Sequence, residues 1–531
     1  LWFVGLALGA IAWAPALWEF EKAGWGDWGW FHHQWEVGRI AITRWHEWPL
    51  WDPHHCGGVS LWGQPQAQHE APTWWVTGLL FGTVIGHKLF IILHHAVGFV
   101  GMFLVARRLH RMAQPAAAIA AVVWAFSGFF AWRGAGGHAT FLAFHYLPWI
   151  YLCWRRTNED LRYAGAVAVL MGMTLVEGGT YPFPLIFLLL LYDFVVQVLP
   201  PRADARVIRT ASITGVLTLL IGAMRLWPIY LTMSQFPRAT ELDDPETLTD
   251  MLEALTGREP HDWHWGHRWV WAEYGAYVGY AVLGLAAIGA LIALFAKRVR
   301  QRHLIGGALV FAACAMGSAG GEHWPWPLLH QLPVYENLHV PSRFHVLLTF
   351  YLALLAGVAV DRAVRALTRR TTRRFSRRAL VVTAWIVFLG IGTDVMSNTI
   401  RIGARWDGNP IIGSAEAHFH LVSPVGYLEE YMNYPERNVG TAACYDPVPW
   451  PISSALWVGD QPQVRIQPRS AGEVVADSRT NHTARAEVEL REPARVIFNQ
   501  NWNPDWEVSA GIAVEDAGRL AVEIFLHLAR P

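Results

Sequence analysis

Long apolar runs alternate along the chain with short basic turns on one side and longer polar or aromatic loops on the other. The runs are Leu1–Trp18, Leu89–Val105, Ala116–Phe130, Phe141–Trp154, Tyr163–Val176, Phe183–Leu199, Ala211–Met233, Ala276–Ala296, Leu304–Met316, Phe344–Val360 and Leu380–Val395. Each approaches or reaches the length a helix needs to cross a bilayer, roughly 20 residues. The basic clusters fall at every second connector: Arg107, Arg108 and Arg111; Arg155, Arg156 and Arg162; Arg202, Arg206 and Arg209; Lys297, Arg298, Arg300 and Arg302; and the Arg-rich stretch Arg362–Arg378. Cytoplasmic loops retain positive charge during insertion, so this alternation predicts a cytoplasmic N-terminus. An odd helix count then sets the C-terminal region outside. The expected fold is a polytopic α-helical membrane protein of about 11 transmembrane helices over residues 1–398, followed by a β-rich extracytoplasmic domain over residues 399–531. Leu1–Trp18 has no small-residue cleavage site after it and reads as an uncleaved signal anchor, with further residues expected upstream.

The first outer connector, residues 19–72, is far longer and more polar than insertion requires. Eleven of the 30 Trp residues lie between Trp18 and Trp75. Within it His33–Trp48 sets Trp35, Ile40, Ile42 and Trp45 among charged residues, which predicts an amphipathic helix at the membrane interface. Thr73–Thr83 is apolar but too short to span separately, so an interfacial or re-entrant helix is expected there. A second outer loop, residues 234–273, carries Glu241, Asp243, Asp244, Glu246 and Asp250, then His261, His264 and His267. A third covers residues 318–343. Beyond Asp394 the apolar runs shorten, and Ala486–Leu490, Ala494–Phe498 and Leu520–Phe525 read as strands.

Composition agrees with this division: of 531 residues 53% are hydrophobic and only 16% charged, with no net charge. The basic clusters sit at helix ends without interleaved aromatics, so they mark sidedness, and no nucleic-acid partner is expected. Arg outnumbers Lys by 39 to three, which suits a GC-rich bacterial source. The four cysteines show no metal spacing; Cys153 and Cys314 fall in apolar runs, while Cys56 and Cys444 lie outside and can pair in an oxidising compartment.

Carboxylates beside a membrane are costly and call for a reason. Asp27 follows Gly26 shortly after the first run and is flanked by Trp25, Trp28 and Trp30, a setting for a general base with aromatic faces for a sugar ring. The competing account is a solvated Asp in an aromatic belt. A phosphate leaving group needs a cation, for which Arg343, Arg133 beside His138, and Arg225 inside an apolar run are candidates; Arg at helix ends also snorkels to headgroups. Trp28, His33, Gln34, Trp51, Asp52, Gln64, Gln66 and Glu177 are expected to contact substrate or shape the loop. The His32-His33 and His54-His55 pairs and the His261, His264, His267 series lack metal-ligand geometry, so no metal ligand is assigned. A divalent ion, Mg or Mn, bridging Asp27 and a phosphate stands as the alternative. No nucleophile elbow, phosphate loop or dinucleotide fingerprint occurs in a usable context.

Pro49-Leu50-Trp51-Asp52-Pro53, Gly57-Gly58, Gln64-Pro65-Gln66 and Pro72 together resemble the "PLWNP...G.P...Q....P" outer loop of YfhO-like bacterial membrane proteins. Phe126-Ser127-Gly128-Phe129, Leu147-Pro148-Trp149, Glu273-Tyr274-Gly275-Ala276-Tyr277, Val340-Pro341-Ser342-Arg343-Phe344 and Asn501-Trp502-Asn503-Pro504-Asp505-Trp506 follow in the family's order. That family is similar to the GT-C class of glycosyltransferases. The resemblance implies a membrane enzyme that moves a sugar from a polyprenyl-phosphate donor to an extracytoplasmic acceptor. It implies Asp27 as the base and a phosphate site near Arg343. Two positions depart from the pattern: Asp52 replaces the common Asn, and His339 stands where Arg is frequent, so a phosphate contact there falls to an imidazole. The implied setting is the bacterial inner membrane, with membrane lipid, a polyprenyl-phosphate-linked sugar and an unidentified acceptor as partners, and membrane proteins as further ones. The competing class is non-catalytic: a structural subunit of a larger membrane assembly, or a glycolipid transporter or flippase.

Overall fold

In the computed structural model the chain is described except at residues 20, 200–203, 239, 241–243, 259–268, 296–301, 371–373, 407, 409–413, 424–432 and 525–531. His261, His264 and His267, with Glu241 and Asp243, lie outside the described residues. The principal helices are α1 (Trp2–Ala12), α2 (Trp28–Ile40), α3 (Thr83–Leu104), α4 (Gln114–Ala125), α5 (Gly128–Ala135), α6 (Arg162–Val176), α7 (Pro182–Val198), α8 (Ala205–Gln235), α9 (Tyr280–Phe295), α10 (Arg302–Ala315), α11 (His345–Arg370) and α12 (Arg374–Gly403). Two compact units result: Leu1–Phe20, Lys88–Leu226 and Ala239–Asp407 form unit 1, and Glu21–His87, Trp227–Arg238 and Gly408–Pro531 form unit 2.

Every apolar run of the sequence coincides with helical structure. Among the described residues four segments are long and apolar enough to cross a membrane: Thr83–Leu109, Gln114–Ala135, Ala205–Gln235 and Pro341–Arg369. Five shorter apolar helices, α1, α6, α7, α9 and α10, accompany them. The protein is a helical membrane protein. Three runs depart from the single helix expected of them: Leu1–Trp18 divides into Trp2–Ala12 and Ala14–Trp18, Ala116–Phe130 divides between α4 and α5, and Phe141–Trp154 begins in a 3-10 segment, Ala139–Tyr146, and becomes α-helical only at Leu147–Trp154. Pro148 supplies the reason for the last, since proline has no N–H for the preceding turn and is tolerated only in the first turn of an α-helix.

Within unit 1, α11 is the central element, with α4, α9, α10 and α12 all packed on it. Its buried face includes Val346, Leu347, Phe350, Tyr351, Leu354 and Leu355. Small residues set how closely its neighbours come: α4 is rich in Ala and buried from Pro115 to Ala125, and in an apolar solvent helix association depends on such close packing. The tightest approach is at Gly289 of α9, where a Cβ would lie 1.9 Å from the Leu355 carbonyl oxygen. On α8, by contrast, Leu219, Leu220, Ile221 and Met224 are exposed, as suits a surface bathed in lipid.

Unit 2 combines the first outer loop with the β-rich region. The strands are β1 (Trp51–Asp52), β2 (Val59–Ser60), β3 (His420–Val422), β4 (Val439–Thr441), β5 (Val464–Gln467), β6 (Gly472–Arg479), β7 (Ala484–Leu490), β8 (Ala494–Asn501), β9 (Ile512–Asp516) and β10 (Arg519–Ile524). The three strand readings from sequence thus fall on β7, β8 and β10. A four-stranded antiparallel sheet runs β5-β8-β10-β9; β6 and β7 form a hairpin, and β3 pairs with β4 in parallel. Alternating apolar positions of the sheet, Val464, Val496, Phe498, Leu520 and Val522, make one core, flanked by Trp502 and Trp506.

The helix expected at the interface over His33–Trp48 is displaced. Helix α2 begins at Trp28 and is buried from Trp28 to Gly38 on every face, followed by a π-helical turn, Ala41–Trp45. An imperfect amphipathic pattern is compatible with full burial because its polar side chains find internal partners: Trp35 Nε1 donates to Gln68 at 2.7 Å, and Glu36 accepts from Thr83 at 2.7 Å. Cys56 and Cys444 form a disulfide that joins the first outer loop to the β-rich region within this unit. Gly57 and Gly58 take positive φ, 73° and 99°, and let the loop turn so that the Asn501 side chain at the end of β8 donates to the Cys56 carbonyl at 2.6 Å.

The contact at Gly289 generates a prediction. Gly289→Val forces α9 away from α11 and destabilises unit 1 by about 1–3 kcal/mol; thermal unfolding in detergent measures it, whereas Gly284→Val, at an open position on the same helix, lowers the midpoint far less.

Candidate functional site

Two guanidiniums converge on one carboxylate in unit 1. Arg133 projects from α5, Glu273 from the short helix Trp271–Tyr274, and Arg343 from the 3-10 turn Pro341–Phe344 that leads into α11. Arg343 donates from Nη2 to Glu273 Oε1 at 2.7 Å and from Nε to Oε2 at 3.0 Å, while Arg133 Nη1 pairs with Oε2. Arg133 Nη2 also donates to the Glu273 carbonyl at 2.9 Å, as does Ser342 Oγ at 3.0 Å. All three charged side chains are buried, so the pairing is obligatory. Burial alone would raise the Glu273 carboxyl, but the Arg133 and Arg343 guanidiniums override it and hold it well below the usual range.

Aromatic and imidazole groups complete this cluster. Arg343 stacks over Tyr181, 4.2 Å from the ring centroid, and both guanidiniums lie 4.9 Å from the Phe141 ring. Arg133 Nη1 donates to His138 Nδ1 at 2.7 Å. Burial and the neighbouring guanidiniums hold His138 down at about 3 against the pull of Glu273, so this imidazole is neutral. His339 meets the Tyr181 hydroxyl at 2.9 Å through Nδ1 and donates its backbone N–H to the same oxygen at 3.0 Å. The sequence candidates Arg133, Arg343 and His339 are therefore brought together. Arg225 is buried on α8 and takes no part in the described ion pairs of Glu273.

Glu177 is also in unit 1, fully buried, with His94 Nε2 donating to one carboxylate oxygen and Tyr146 OH to the other, both at 2.7 Å. That pairing satisfies it internally. In the acidic stretch of the second outer loop, Asp244 accepts from the Tyr274 hydroxyl at 2.7 Å, Glu246 lies 3.2 Å from His345, and Asp250 closes a capping box with Thr247. These carboxylates serve the packing of unit 1.

In unit 2, Asp27 occupies the N-cap position of α2 without capping it; its Oδ1 instead accepts from the Tyr445 hydroxyl at 2.8 Å. Asp27 is half-buried, whereas Trp28 beside it is fully buried against His32 and His87. His33 Nε2 donates to Asp52 Oδ2 at 2.7 Å with both side chains out of contact with solvent, and the His54 backbone N–H donates to Oδ1 at 2.8 Å. Burial raises the Asp52 carboxyl, but His33 outweighs it and the group sits at about 2. Asp52 thus holds the loop in shape. Trp51 packs edge-on to Trp506 at 5.0 Å. Gln64 Oε1 accepts from the Gln66 backbone and its amide reaches Asp446 at 3.4 Å; Gln34 is buried. Burial pushes Asp446 up to about 7, against the hydrogen bonds that it accepts from the Val448 backbone and Gln64.

Among the described residues the one three-ligand group with metal spacing is His55 with Cys56 and Cys444, and the disulfide occupies both sulfurs. Asp27 belongs to no such group among the described residues. Three residues central to these arrangements were not assigned roles from sequence: Glu273, Tyr445 and Asp446. Glu273 is a lone carboxylate in the apolar stretch Trp269–Val278, a signal for a buried counter-ion. Tyr445 and Asp446 adjoin Cys444, and only its pairing brings them beside the first loop.

Family models return no match to the chain, and neither do curated proteins. Among solved structures, arabinofuranosyltransferase AftD from Mycobacteria is similar at 15% identity and a TM-score of 0.50, over 84% of this chain and 32% of that one. Oligosaccharyltransferase AglB from Archaeoglobus fulgidus, in complex with an inhibitory peptide and a dolichol-phosphate, follows at 12% identity and 0.48, over 83% and 64%. ArnT from Cupriavidus metallidurans bound to undecaprenyl phosphate follows at 13% and 0.44, over 82% and 77%. The chain spans about a third of the length of the AftD chain and just under two thirds of AglB. The fold is GT-C-like, an assignment that rests on the AftD likeness.

Two predictions arise from the charges. Glu273→Gln leaves Arg133 and Arg343 buried without a counter-ion and destabilises unit 1 by about 3–5 kcal/mol, read as a lower thermal midpoint in detergent. Asp446, at about 7 in the fold against an ordinary 3.8, binds its proton more tightly when folded, so its contribution falls as pH rises between those values. The stability of Asp446→Asn relative to the native protein should therefore improve with pH by up to about 1.4 kcal/mol per unit between pH 4 and 7, and show no such slope below pH 4; unfolding followed by Trp fluorescence at a series of pH values checks it.

Proposed function

We propose that the protein is an inverting membrane glycosyltransferase that moves a hexose or pentose from a polyprenyl-phosphate donor to an acceptor on the outer face of the bacterial inner membrane. The observation that carries this reading is the Glu273 cluster: two buried guanidiniums are held in place by one shared carboxylate. A preformed cation of this kind suits a phosphate that gains charge as it leaves, because no reorganisation is needed at the moment of reaction. The GT-C-like fold and the likeness to an arabinofuranosyltransferase support the same class of reaction.

Asp27 takes the role of base. Its carboxylate accepts the proton of the acceptor hydroxyl, whose oxygen forms a bond to the anomeric carbon on the face opposite the phosphate. The bond from that carbon to the phosphate oxygen breaks, and polyprenyl phosphate departs with the electron pair, so the configuration inverts. The Tyr445 hydroxyl, 2.8 Å from Asp27 Oδ1, orients the carboxylate. Arg343, Arg133 and His339 serve the phosphate, and Trp28, His33, Asp52 and Gln64 keep the loop in shape. The N-terminus is assigned to the cytoplasm and the β-rich region to the outer side, on the alternation of basic connectors.

Sugar transfer from a synthetic polyprenyl-phosphate donor by the purified protein in nanodiscs tests the assignment. Asp27→Asn lowers kcat roughly 100- to 10,000-fold with the thermal midpoint retained, and Tyr445→Phe lowers it less. Undiminished transfer by Asp27→Asn would falsify the role of base.

A further inference from the structure

Unit 2 contains a cavity of about 320 Å³ that plays no part in the transfer scheme. Its volume is at the lower end of small-molecule sites, enough for a compact ligand and too small for an acyl chain. The β6–β7 hairpin forms one wall, with Ser478 opposite Arg485 and Arg479 opposite Ala484. The Val464 and Phe498 pair from β5 and β8 closes the base. Residues Arg44 and Trp45, at the end of the π-helical turn that follows α2, complete the lining on another side.

The charge of this lining is one-sided. Arg44, Arg479 and Arg485 contribute cations, and Asp477 is the one carboxylate. Arg479 is held in place: its Nη2 donates to Gln500 Oε1 at 2.7 Å, and its guanidinium lies 4.3 Å from the Phe419 ring centroid. Its Nη1 is buried and has no hydrogen-bond partner, and neither has the buried Nε2 of Gln500. Burial pushes Arg479 down to about 10 despite Asp477, as expected of a cation short of counter-charge. A fixed guanidinium in a lining of three arginines and one carboxylate is complementary to an oxyanion. The remaining lining, Ser478, Asn438 and Trp45, offers hydroxyl, amide and aromatic surface, the combination that receives a sugar ring's hydroxyls and C–H faces.

We propose that this cavity binds an anionic sugar unit, one bearing a carboxylate or phosphate group, with Arg479 meeting the oxyanion. The site is separate from Asp27 and does not depend on the transfer reading: it would hold part of a charged glycan whether or not the protein transfers sugar.

The test is titration of the full-length protein in detergent, by saturation-transfer NMR, with glucuronate, glucose 6-phosphate, glucose and inorganic phosphate. The expected result is that glucuronate or glucose 6-phosphate binds at least tenfold more tightly than glucose and loosens as salt rises; which of the two binds identifies the oxyanion as carboxylate or phosphate. Arg479→Gln abolishes the preference. Arg485→Gln, a change at an exposed strand position that keeps the fold, weakens binding several-fold. Asp27→Asn binds like the native protein, which separates this site from the base. Equal binding of glucose, binding of neither charged sugar, inorganic phosphate binding as tightly as glucose 6-phosphate, or indifference to both Arg variants would each overturn the proposal.

Discussion

A charge removed from water must bring its counter-charge with it, and in this chain the polar structure of unit 1 is organised by that demand. Glu273 with Arg133 and Arg343 is the plainest instance, because one carboxylate pairs with two guanidiniums that come from elements far apart in sequence. The same demand pairs Glu177 with His94 and Tyr146, and Asp193 with Arg155 and Trp154. Such pairs contribute little net stability against an apolar replacement. What they specify is arrangement, since each partner left alone would be a buried charge. The loop that carries Glu273 and the turn that carries Arg343 are held together in this way.

Unit 2 answers a different demand. Its outer loop is tied to the β-rich region by covalent and hydrogen-bonded links: the Cys56–Cys444 disulfide, Asn501 on the Cys56 carbonyl, and Tyr445 on Asp27. Three consecutive residues, Cys444, Tyr445 and Asp446, each engage a different position of the loop. The setting of Asp27 therefore depends on a segment more than four hundred residues away in sequence.

The helices and the strands β7, β8 and β10 were legible in the sequence because their signals are local. An apolar run of near-spanning length forms a helix wherever it lies, and alternation over Ala494–Phe498 or Leu520–Phe525 reads as strand without reference to partners. Arg133, Arg343 and His339 were legible as cations beside apolar runs. Their convergence was not, since nothing near Arg133 indicates that Glu273 lies between it and Arg343. The surface helix read over His33–Trp48 failed for a related reason: periodicity reports polarity, and a polar side chain that finds a buried partner, as His33 finds Asp52, is indistinguishable in sequence from one that faces water.

Length, hydropathy and the spacing of arginines were thus enough to establish a helical membrane protein with a β-rich end and a polar first loop, since these properties are additive along the chain. Which polar groups meet is a matter of long-range geometry. The cluster at Glu273, the hydrogen bond from Tyr445 to Asp27 and the cavity beside Arg479 exist only once distant segments are folded together, because a hydrogen bond or ion pair is defined over a few ångströms of space and leaves no periodic trace in the order of residues.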